Sequence, residues 1–249
     1  MSTAAETGTK RSGSASLFIG AIAVSASAVL VESLLRMTSW HVWQFVALLL
    51  VGALTARLKL KLPGVTGNMS VSLPFLLIAM THLSMPEALF TAAVSVLTQS
   101  IPKGPSKFNP AHALFNVSTA ILAAAMGWET FHHLPEAFST PAICLVFSCA
   151  MYFFASTIPV AGIIALTEKK NVLRTWSEIA HLSFPYYVGS TGLASIAASV
   201  GVNTPWPLLV GMFCTMFVVY RSYRVYFGLM NTSAVEPSVQ LQKAKSATA

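Results

Sequence analysis

The sequence contains no aspartate, and its eight acidic side chains are all glutamate. Charged residues make up only 9% of the 249 residues, whereas soluble domains carry roughly 25%. The three cysteines, Cys144, Cys149 and Cys214, lie in apolar stretches without C-x-x-C spacing, where a thiol behaves as a small hydrophobe. We therefore expect no disulfide, no metal site, no cofactor and no carboxylate-paired Mg²⁺ or Ca²⁺ chemistry. Because 55% of the residues are hydrophobic, we do not expect a water-soluble globular protein.

Basic residues lie almost entirely at one set of alternating ends of the apolar stretches, and only Arg36 is on the opposite side. Because Lys and Arg resist translocation, this bias predicts a multi-pass bacterial inner-membrane protein with both termini cytoplasmic. The bias also explains the formal charge of +7, and no basic stripe with stacking aromatics suggests a nucleic-acid partner. The fourteen residues on the predicted cytoplasmic side are Lys10, Arg11, Arg57, Lys59, Lys61, Lys103, Lys107, Lys169, Lys170, Arg174, Arg221, Arg224, Lys243 and Lys245.

The apolar runs predict an all-α fold, a polytopic transmembrane helix bundle of about eight (six to eight) short membrane segments. We expect one transmembrane domain over residues 14–228, between a disordered tail at 1–13 and a disordered cytoplasmic tail at 229–249. The first run also fits a cleavable signal peptide, although its continuation past Ala28 favours a retained helix. The basic connection 168–178 predicts a short amphipathic helix on the cytoplasmic surface. The segments are 14–35, 40–56, 66–83, 87–101, 109–127, 141–166, 178–200 and 205–220.

Helix breakers mark the stretch Leu58–Phe75, LKLKLPGVTGNMSVSLPF. Pro63-Gly64 and Gly67-Asn68 predict a tight structural turn at the cytoplasmic face. Pro74 should then remove a backbone hydrogen bond inside the third segment. One interpretation is a turn followed by a kinked helix. The other is an unwound segment that exposes backbone groups to a ligand at membrane depth.

This stretch is followed by the segments LSMPEALFTAAVSVLTQS and FNPAHALFNVSTAILAAA. Together they resemble the membrane input region that precedes HD-GYP phosphodiesterase and diguanylate cyclase domains in some bacterial signalling proteins, acidobacterial ones among them. The resemblance covers residues 40–228. It implies an input module, and the sequence contains no HD pair, GGDEF-like loop or kinase motif, so a stand-alone input domain is expected. A weaker likeness is to the substrate-binding subunits of energy-coupling-factor vitamin transporters.

Polar side chains within the apolar runs are the candidate ligand-binding residues, because such groups are costly in hydrocarbon and often functional. His112 and Asn116 are spaced i,i+4, so both are predicted to face the bundle interior. An interhelical hydrogen bond is the alternative to a ligand contact. Gln99 and His181 complete the set. His82 and Glu87 are expected at the interface, and the ETFHHLPE stretch in an external loop.

These observations predict a non-enzymatic multi-pass membrane protein, a sensory or input-type module, because no nucleophile, base and orienting group can be assembled from the sequence. A substrate-binding or transport subunit for a vitamin-like small molecule is the alternative. The expected partner is the lipid bilayer, with a signalling or transporter protein and a small-molecule ligand as further candidates.

Overall fold

The structure, a computed structural model, describes residues 13–37, 39–61, 68–102, 108–135, 138, 140–199, 210–218, 221–222 and 225. Within these residues the chain forms a helical bundle with one short β-hairpin, so the all-α prediction is confirmed for the bundle. The elements are α1 (Gly13–Leu35), α2 (Val42–Ala56), β1 (Lys59–Lys61), β2 (Asn68–Ser70), α3 (Leu73–His82), α4 (Met85–Ser100), α5 (Pro110–His133), α6 (Pro141–Glu168) and α7 (Val172–Ser199), and residues 210–218 are helical as well.

Local sequence explains where most helices begin. Proline tolerates the first turn of a helix because its missing N–H would have no intrahelical partner there. Asparagine side chains cap two helices: Asn109 Oδ1 accepts from the His112 N–H at 3.3 Å, and Asn171 Oδ1 accepts from the Leu173 N–H at 2.9 Å. The prolines in the first turns of α3 to α6 are Pro74, Pro86, Pro110 and Pro141.

The predicted third segment, 66–83, is only partly helical, and this prediction is corrected. Strands β1 and β2 pair antiparallel, with Lys59 opposite Ser70 and Lys61 opposite Asn68, and the helix begins only at Leu73. Pro74 therefore lies in the first turn of α3, where it costs no backbone hydrogen bond, and the predicted kink inside the segment is wrong.

Helix α3 is the centre of the bundle. Its side chains from Leu73 to Met80 are all buried, and it packs against α2, α4, α5 and α7. At 1.5 Å per residue its 10 residues span about 15 Å, half of a hydrocarbon core of about 30 Å. The other neighbouring pairs include α5 with α6, α6 with α7, α4 with α5, and α1 with α5. A short central helix is thus enclosed by longer ones.

Small residues allow the helices around α3 to approach closely. Ala123 and Ala124 are fully buried on α5, and Gly127 follows one turn later. A Cβ atom at Gly127 would lie 3.0 Å from Met80 Sδ on α3 and 3.3 Å from the Ser148 carbonyl oxygen on α6. Ser148 Oγ donates to the Gly127 carbonyl at 2.7 Å, so the absent side chain permits a direct α5–α6 hydrogen bond.

Three of the described helices, α1, α5 and α6, are long and apolar enough to cross a membrane, and α2 and α3 are shorter apolar helices. Large apolar side chains point outward on α1, where Leu17 is 77% exposed and Leu35 is 82% exposed. A bilayer would bury this surface, so the helices are compatible with a membrane protein. The count of six to eight membrane segments and the cytoplasmic termini stay predictions.

The junction between α6 and α7 differs from the sequence-based expectation. Lys169 adopts the left-handed conformation, with φ 54°, and this ends α6. Asn171 then caps α7, which runs without interruption from Val172. Trp176 stacks on Phe154 and donates from Nε1 to Thr157 Oγ1 at 3.1 Å. The separate surface helix predicted at 168–178 is therefore wrong, because contacts with α6 recruit this segment into α7.

Candidate functional site

A group of tyrosines on α6 and α7, here called the tyrosine cluster, lies beside the start of α3. Its members are Tyr152, Tyr186 and Tyr187. The ring centroid of Tyr187 lies 6.3 Å from that of Tyr152 and 5.9 Å from that of Tyr186. The Tyr186 hydroxyl accepts a hydrogen bond from the Leu73 N–H at 3.2 Å, and the Tyr187 hydroxyl lies 3.0 Å from Ser156 Oγ. The cluster thus joins α3, α6 and α7 through hydroxyl groups.

The tyrosine cluster fixes the level at which α3 begins. Helix α7 has 28 residues, and Tyr186 lies at its middle. Because Tyr186 binds the Leu73 N–H, the N-terminus of α3 is at the mid-length of α7, inside the bundle. The first turn of a helix has backbone N–H groups without intrahelical partners. The Tyr186 hydroxyl therefore supplies an acceptor at a depth where water would be scarce.

The chemistry available at the tyrosine cluster is hydrogen bonding. Tyrosine and serine hydroxyls donate and accept, and Ser156 Oγ also donates to the Phe153 carbonyl at 3.0 Å. Cys149 is nearby, with Sγ 3.9 Å from the Tyr187 carbonyl oxygen. No histidine or carboxylate contacts these hydroxyls among the hydrogen bonds of the described residues. The arrangement suits recognition of a polar group more than activation of a nucleophile.

A second polar site lies where α2, α3 and α4 meet, here called the Glu87 site. Glu87 is fully buried in the first turn of α4. Its Oε1 accepts from the His41 N–H at 2.7 Å, and its Oε2 accepts from the Ser84 N–H at 2.9 Å and the Ser84 hydroxyl at 2.7 Å. His41 Nδ1 is 3.4 Å from Oε2. One carboxylate therefore caps both α2 and α4.

The same end of the bundle carries an aromatic and histidine group from α5. Trp128 donates from Nε1 to the Leu83 carbonyl at 3.1 Å and stacks on His132 with ring centroids 4.0 Å apart. Glu129 pairs with His133 at 2.8 Å, one helical turn later. The expectation that this stretch forms an external loop is wrong for residues 129–133, because they are the last turns of α5. In the part of the chain that the structure describes, no three metal-ligating side chains come together.

The basic residues that the structure describes lie mainly at the opposite end, which we call the basic end. Arg57 follows α2, and Lys169 and Lys170 join α6 to α7. Lys170 binds Glu168 at 2.6 Å, and this hydrogen bond and charge raise the pKa of Lys170. At the other end Arg36 pairs with Glu32 at 2.6 Å, and both are exposed. The side of a membrane on which each end of the bundle lies stays a prediction.

The structure brings His112 and Asn116 together but does not place both in the interior. Asn116 Nδ2 lies 3.3 Å from His112 Nδ1, as the i,i+4 spacing predicts. Asn116 is half-buried, whereas His112 is exposed near the start of α5. The prediction of an inward-facing His112 is therefore wrong, because the periodicity identifies a shared face without identifying its neighbour. Their assignment to a ligand stays a prediction.

The remaining predicted site residues belong to other elements than α5. Gln99 is half-buried near the C-terminus of α4, and His181 is exposed on α7, nine residues before the buried Ser190. Pro63, Gly64 and Gly67 lie outside the described residues, and Asn68 is the first residue of β2. The antiparallel strands on either side agree with a chain reversal there. The four predicted ligand residues thus lie on three different helices, α4, α5 and α7.

Sequence reasoning did not single out the two polar sites that the structure forms. The Glu87 site had a local signal, because Ser84-Met-Pro-Glu87 is the S-x-x-E pattern of a capping box, and both of its reciprocal hydrogen bonds are present. Tyr186 and Tyr187 had no comparable signal, since adjacent tyrosines in an apolar run are equally typical of packing. The contact with Leu73 joins residues 113 positions apart, which no local pattern encodes.

Comparison with known proteins gives no relative: no family model matches the chain, and no curated protein or solved structure is significantly similar to it.

Proposed function

We propose that this protein is a non-enzymatic, multi-pass membrane module of sensory or input type, which passes a change inside the helix bundle to a partner at the basic end. The supporting observation is the direct connection between α3 and the hairpin. Only the turn Val71–Ser72, with both residues buried, separates β2 from α3. A shift of α3 would therefore move the hairpin with it.

The position of α3 makes it a suitable element to respond to such a change. It is enclosed by α2, α4, α5 and α7, and its start is held by the Tyr186 hydroxyl. A ligand that bonded to this hydroxyl, or to the first N–H groups of α3, would compete with the hydrogen bond that holds the helix. Since a ligand shifts a conformational equilibrium only by binding one state more tightly, this competition supplies the required differential contact.

The sensory proposal also agrees with the resemblance of residues 40–228 to bacterial input regions, and the non-enzymatic part rests on the sequence. No HD pair, GGDEF-like loop, G-x-S-x-G or H-E-x-x-H motif occurs in the 249 residues.

A substrate-binding or transport subunit is the second candidate, and a different observation favours it. Helix α3 spans about half of a bilayer core and begins inside the bundle. Transporters often use half-helices of this kind, whose N-termini bind substrate groups near the membrane midplane. In this case the tyrosine cluster would bind the transported molecule, and an ATPase pair would be the expected partner.

Site-specific photo-crosslinking in native membranes distinguishes the two proposals. A crosslinker in the hairpin, at Leu60, should capture a response regulator, a cyclase or an HD-GYP protein if the module is sensory. Capture of an ATPase pair would favour the transport proposal and contradict the sensory one. The matched control places the crosslinker at Trp43, which is 87% exposed at the opposite end of α2. Capture of the same proteins from both positions would show that the hairpin is not the docking element.

Ligand identification tests the part that both proposals share. The wild-type chain and a Tyr186→Phe, Tyr187→Phe double variant are purified from native membranes, and bound small molecules are identified by mass spectrometry. We expect a molecule that is retained by the wild type and lost from the double variant. Equal retention by both chains would remove the tyrosine cluster from the proposal.

A further inference from the structure

Glu87 is the only glutamate among the described residues whose side chain is fully buried. The other described glutamates are surface groups, with side chains between 36% and 60% exposed. A buried carboxylate normally requires donors that replace water. Glu87 has them: the backbone N–H groups of His41 and Ser84 and the Ser84 hydroxyl, all within 2.9 Å.

The pattern of these contacts favours an ionised carboxylate. Oε1 accepts from the His41 N–H, and Oε2 accepts from the Ser84 N–H. A backbone N–H can only donate. A proton on Oε1 would therefore oppose the His41 N–H, and a proton on Oε2 would oppose the Ser84 N–H. Either position weakens a backbone hydrogen bond, because a protonated oxygen is a poorer acceptor, and the remaining bonds lose the strengthening that the negative charge gives them.

The two backbone groups belong to different parts of the bundle. Ser84 lies in the corner between α3 and α4, whereas His41 is the N-cap residue of α2, 46 positions away from Glu87 along the chain. We propose that Glu87 is a pH-sensitive latch, which holds the N-terminus of α2 against the α3–α4 corner while it is ionised and releases it when it is protonated. This inference does not depend on the proposed sensory function.

His41 is the titratable group that touches the latch. Its Nδ1 is 3.4 Å from Glu87 Oε2, and its side chain is 47% exposed. A positive charge on the imidazole would strengthen the latch, whereas protonation of the carboxylate would open it. Helices α1, α3 and α5 also pack against α4. The hydrogen bonds and ion pairs that the structure describes for the Glu87 side chain include none of the ionisable groups in or just after the last turns of these helices, which are Glu32, Arg36, His82, Glu129, His132 and His133.

Amide hydrogen exchange measures the latch directly, because the His41 N–H is one of its bonds. Because the donors around Glu87 favour its ionised form, exchange of this amide in the purified full chain is followed from about pH 7.5 down to about pH 2, below the ordinary range of a glutamate, and corrected for intrinsic rates. The internal control is the Cys144 N–H, which donates to the Thr140 carbonyl at 3.1 Å. We expect the protection of His41 to fall about tenfold or more relative to this control. A constant ratio over the whole range overturns the latch.

Two variants separate the carboxylate from the imidazole. Glu87→Gln keeps the length of the side chain but cannot ionise, so the protection of its His41 amide, corrected for intrinsic rates, should no longer change with pH. A pH dependence like that of the wild type would overturn the assignment to Glu87. His41→Gln retains the backbone N–H and removes the imidazole, so the fall in protection at low pH should persist. If that fall disappears, the switch belongs to the imidazole and the proposal is wrong. The second variant and the wild type decide the question even if Glu87→Gln does not fold.

Discussion

Replacing Tyr186 by phenylalanine removes one hydroxyl from the interior and leaves the ring in place. That hydroxyl accepts the Leu73 N–H at 3.2 Å, and Leu73 is only 5% exposed. In the variant this N–H, which belongs to the first turn of α3, loses its acceptor. The change therefore tests whether the tyrosine cluster holds the start of the central helix.

The expected cost follows from the group that is left behind. A buried backbone donor without a partner costs about 1–3 kcal/mol, whereas removal of both partners of a hydrogen bond can be nearly neutral. We therefore expect Tyr186→Phe to lower the free energy of unfolding by about 1–3 kcal/mol. At about 2–4 °C per kcal/mol for a chain of this size, the melting temperature should fall by about 2–12 °C.

The adjacent residue provides a matched control. Tyr187→Phe also removes one hydroxyl, but its neighbour Ser156 Oγ keeps a hydrogen bond to the Phe153 carbonyl. No donor is left alone, so the cost should be about 0–1 kcal/mol. Thermal unfolding of both variants in one detergent, followed by circular dichroism, makes the comparison. An equal or larger loss in Tyr187→Phe would refute the reasoning, and so would an unchanged Tyr186→Phe.

Three further predictions concern other parts of the bundle. Gly127→Ala should lower the free energy of unfolding by about 1–2 kcal/mol, because its Cβ would press on Met80 and Ser148. Gly192→Ala, where a Cβ would meet open space, should raise it by about 0.5–1 kcal/mol through helix propensity. Opposite results in a thermal melting assay would contradict the packing. Lys169→Gly should raise stability by about 0.5–1 kcal/mol by relieving the left-handed residue, whereas Lys170→Gly should not. Reporter fusions after residues 37, 60, 105, 132, 171 and 222 should alternate between compartments, and a periplasmic signal at 60 or 171 would overturn the predicted topology.

The helices could be predicted well where the signal is local. The observed bounds of α1, α2, α4 and α6 lie within two residues of the predicted segments. Apolar runs determine which stretches form these helices, and prolines or capping residues determine where several of them begin. Both signals come from neighbouring residues, so they can be read without knowing the packing. The start of α7 was not predicted although Asn171 caps it, because contacts of Trp176 with α6 make the basic segment after Asn171 part of the bundle.

The central position of α3 could not be predicted in the same way. The breakers Pro63, Gly64 and Gly67 indicated an interruption in this region, and the hairpin strands on either side agree with it. Hydropathy, however, does not distinguish a helix enclosed by other helices from one that faces lipid, because both require apolar side chains. The enclosure of α3 depends on contacts with α2, α4, α5 and α7, which are distant in sequence.

For the candidate ligand-binding residues, the sequence predicts which side chains are neighbours on one helix, but not which of them are buried. The i,i+4 spacing correctly predicts that His112 and Asn116 are neighbours, and His112 Nδ1 lies 3.3 Å from Asn116 Nδ2. The spacing does not predict that His112 is exposed. Periodicity fixes relative positions on one helix, whereas the direction of that face is set by the packing of α5 against α1, α4 and α6. Polar residues in apolar runs therefore identify candidates without identifying the cavity that would use them.

Glu87 combines both kinds of information in one side chain. Its bonds to Ser84 follow from a four-residue capping pattern that the sequence displays. Its bond to the His41 N–H exists only because α2 and α4 pack together, and this bond satisfies a backbone donor at the start of α2, where no side chain of that helix forms a cap. The sequence can thus indicate that Glu87 is a capping residue. Only the fold shows that the same carboxylate joins the N-terminal ends of α2 and α4.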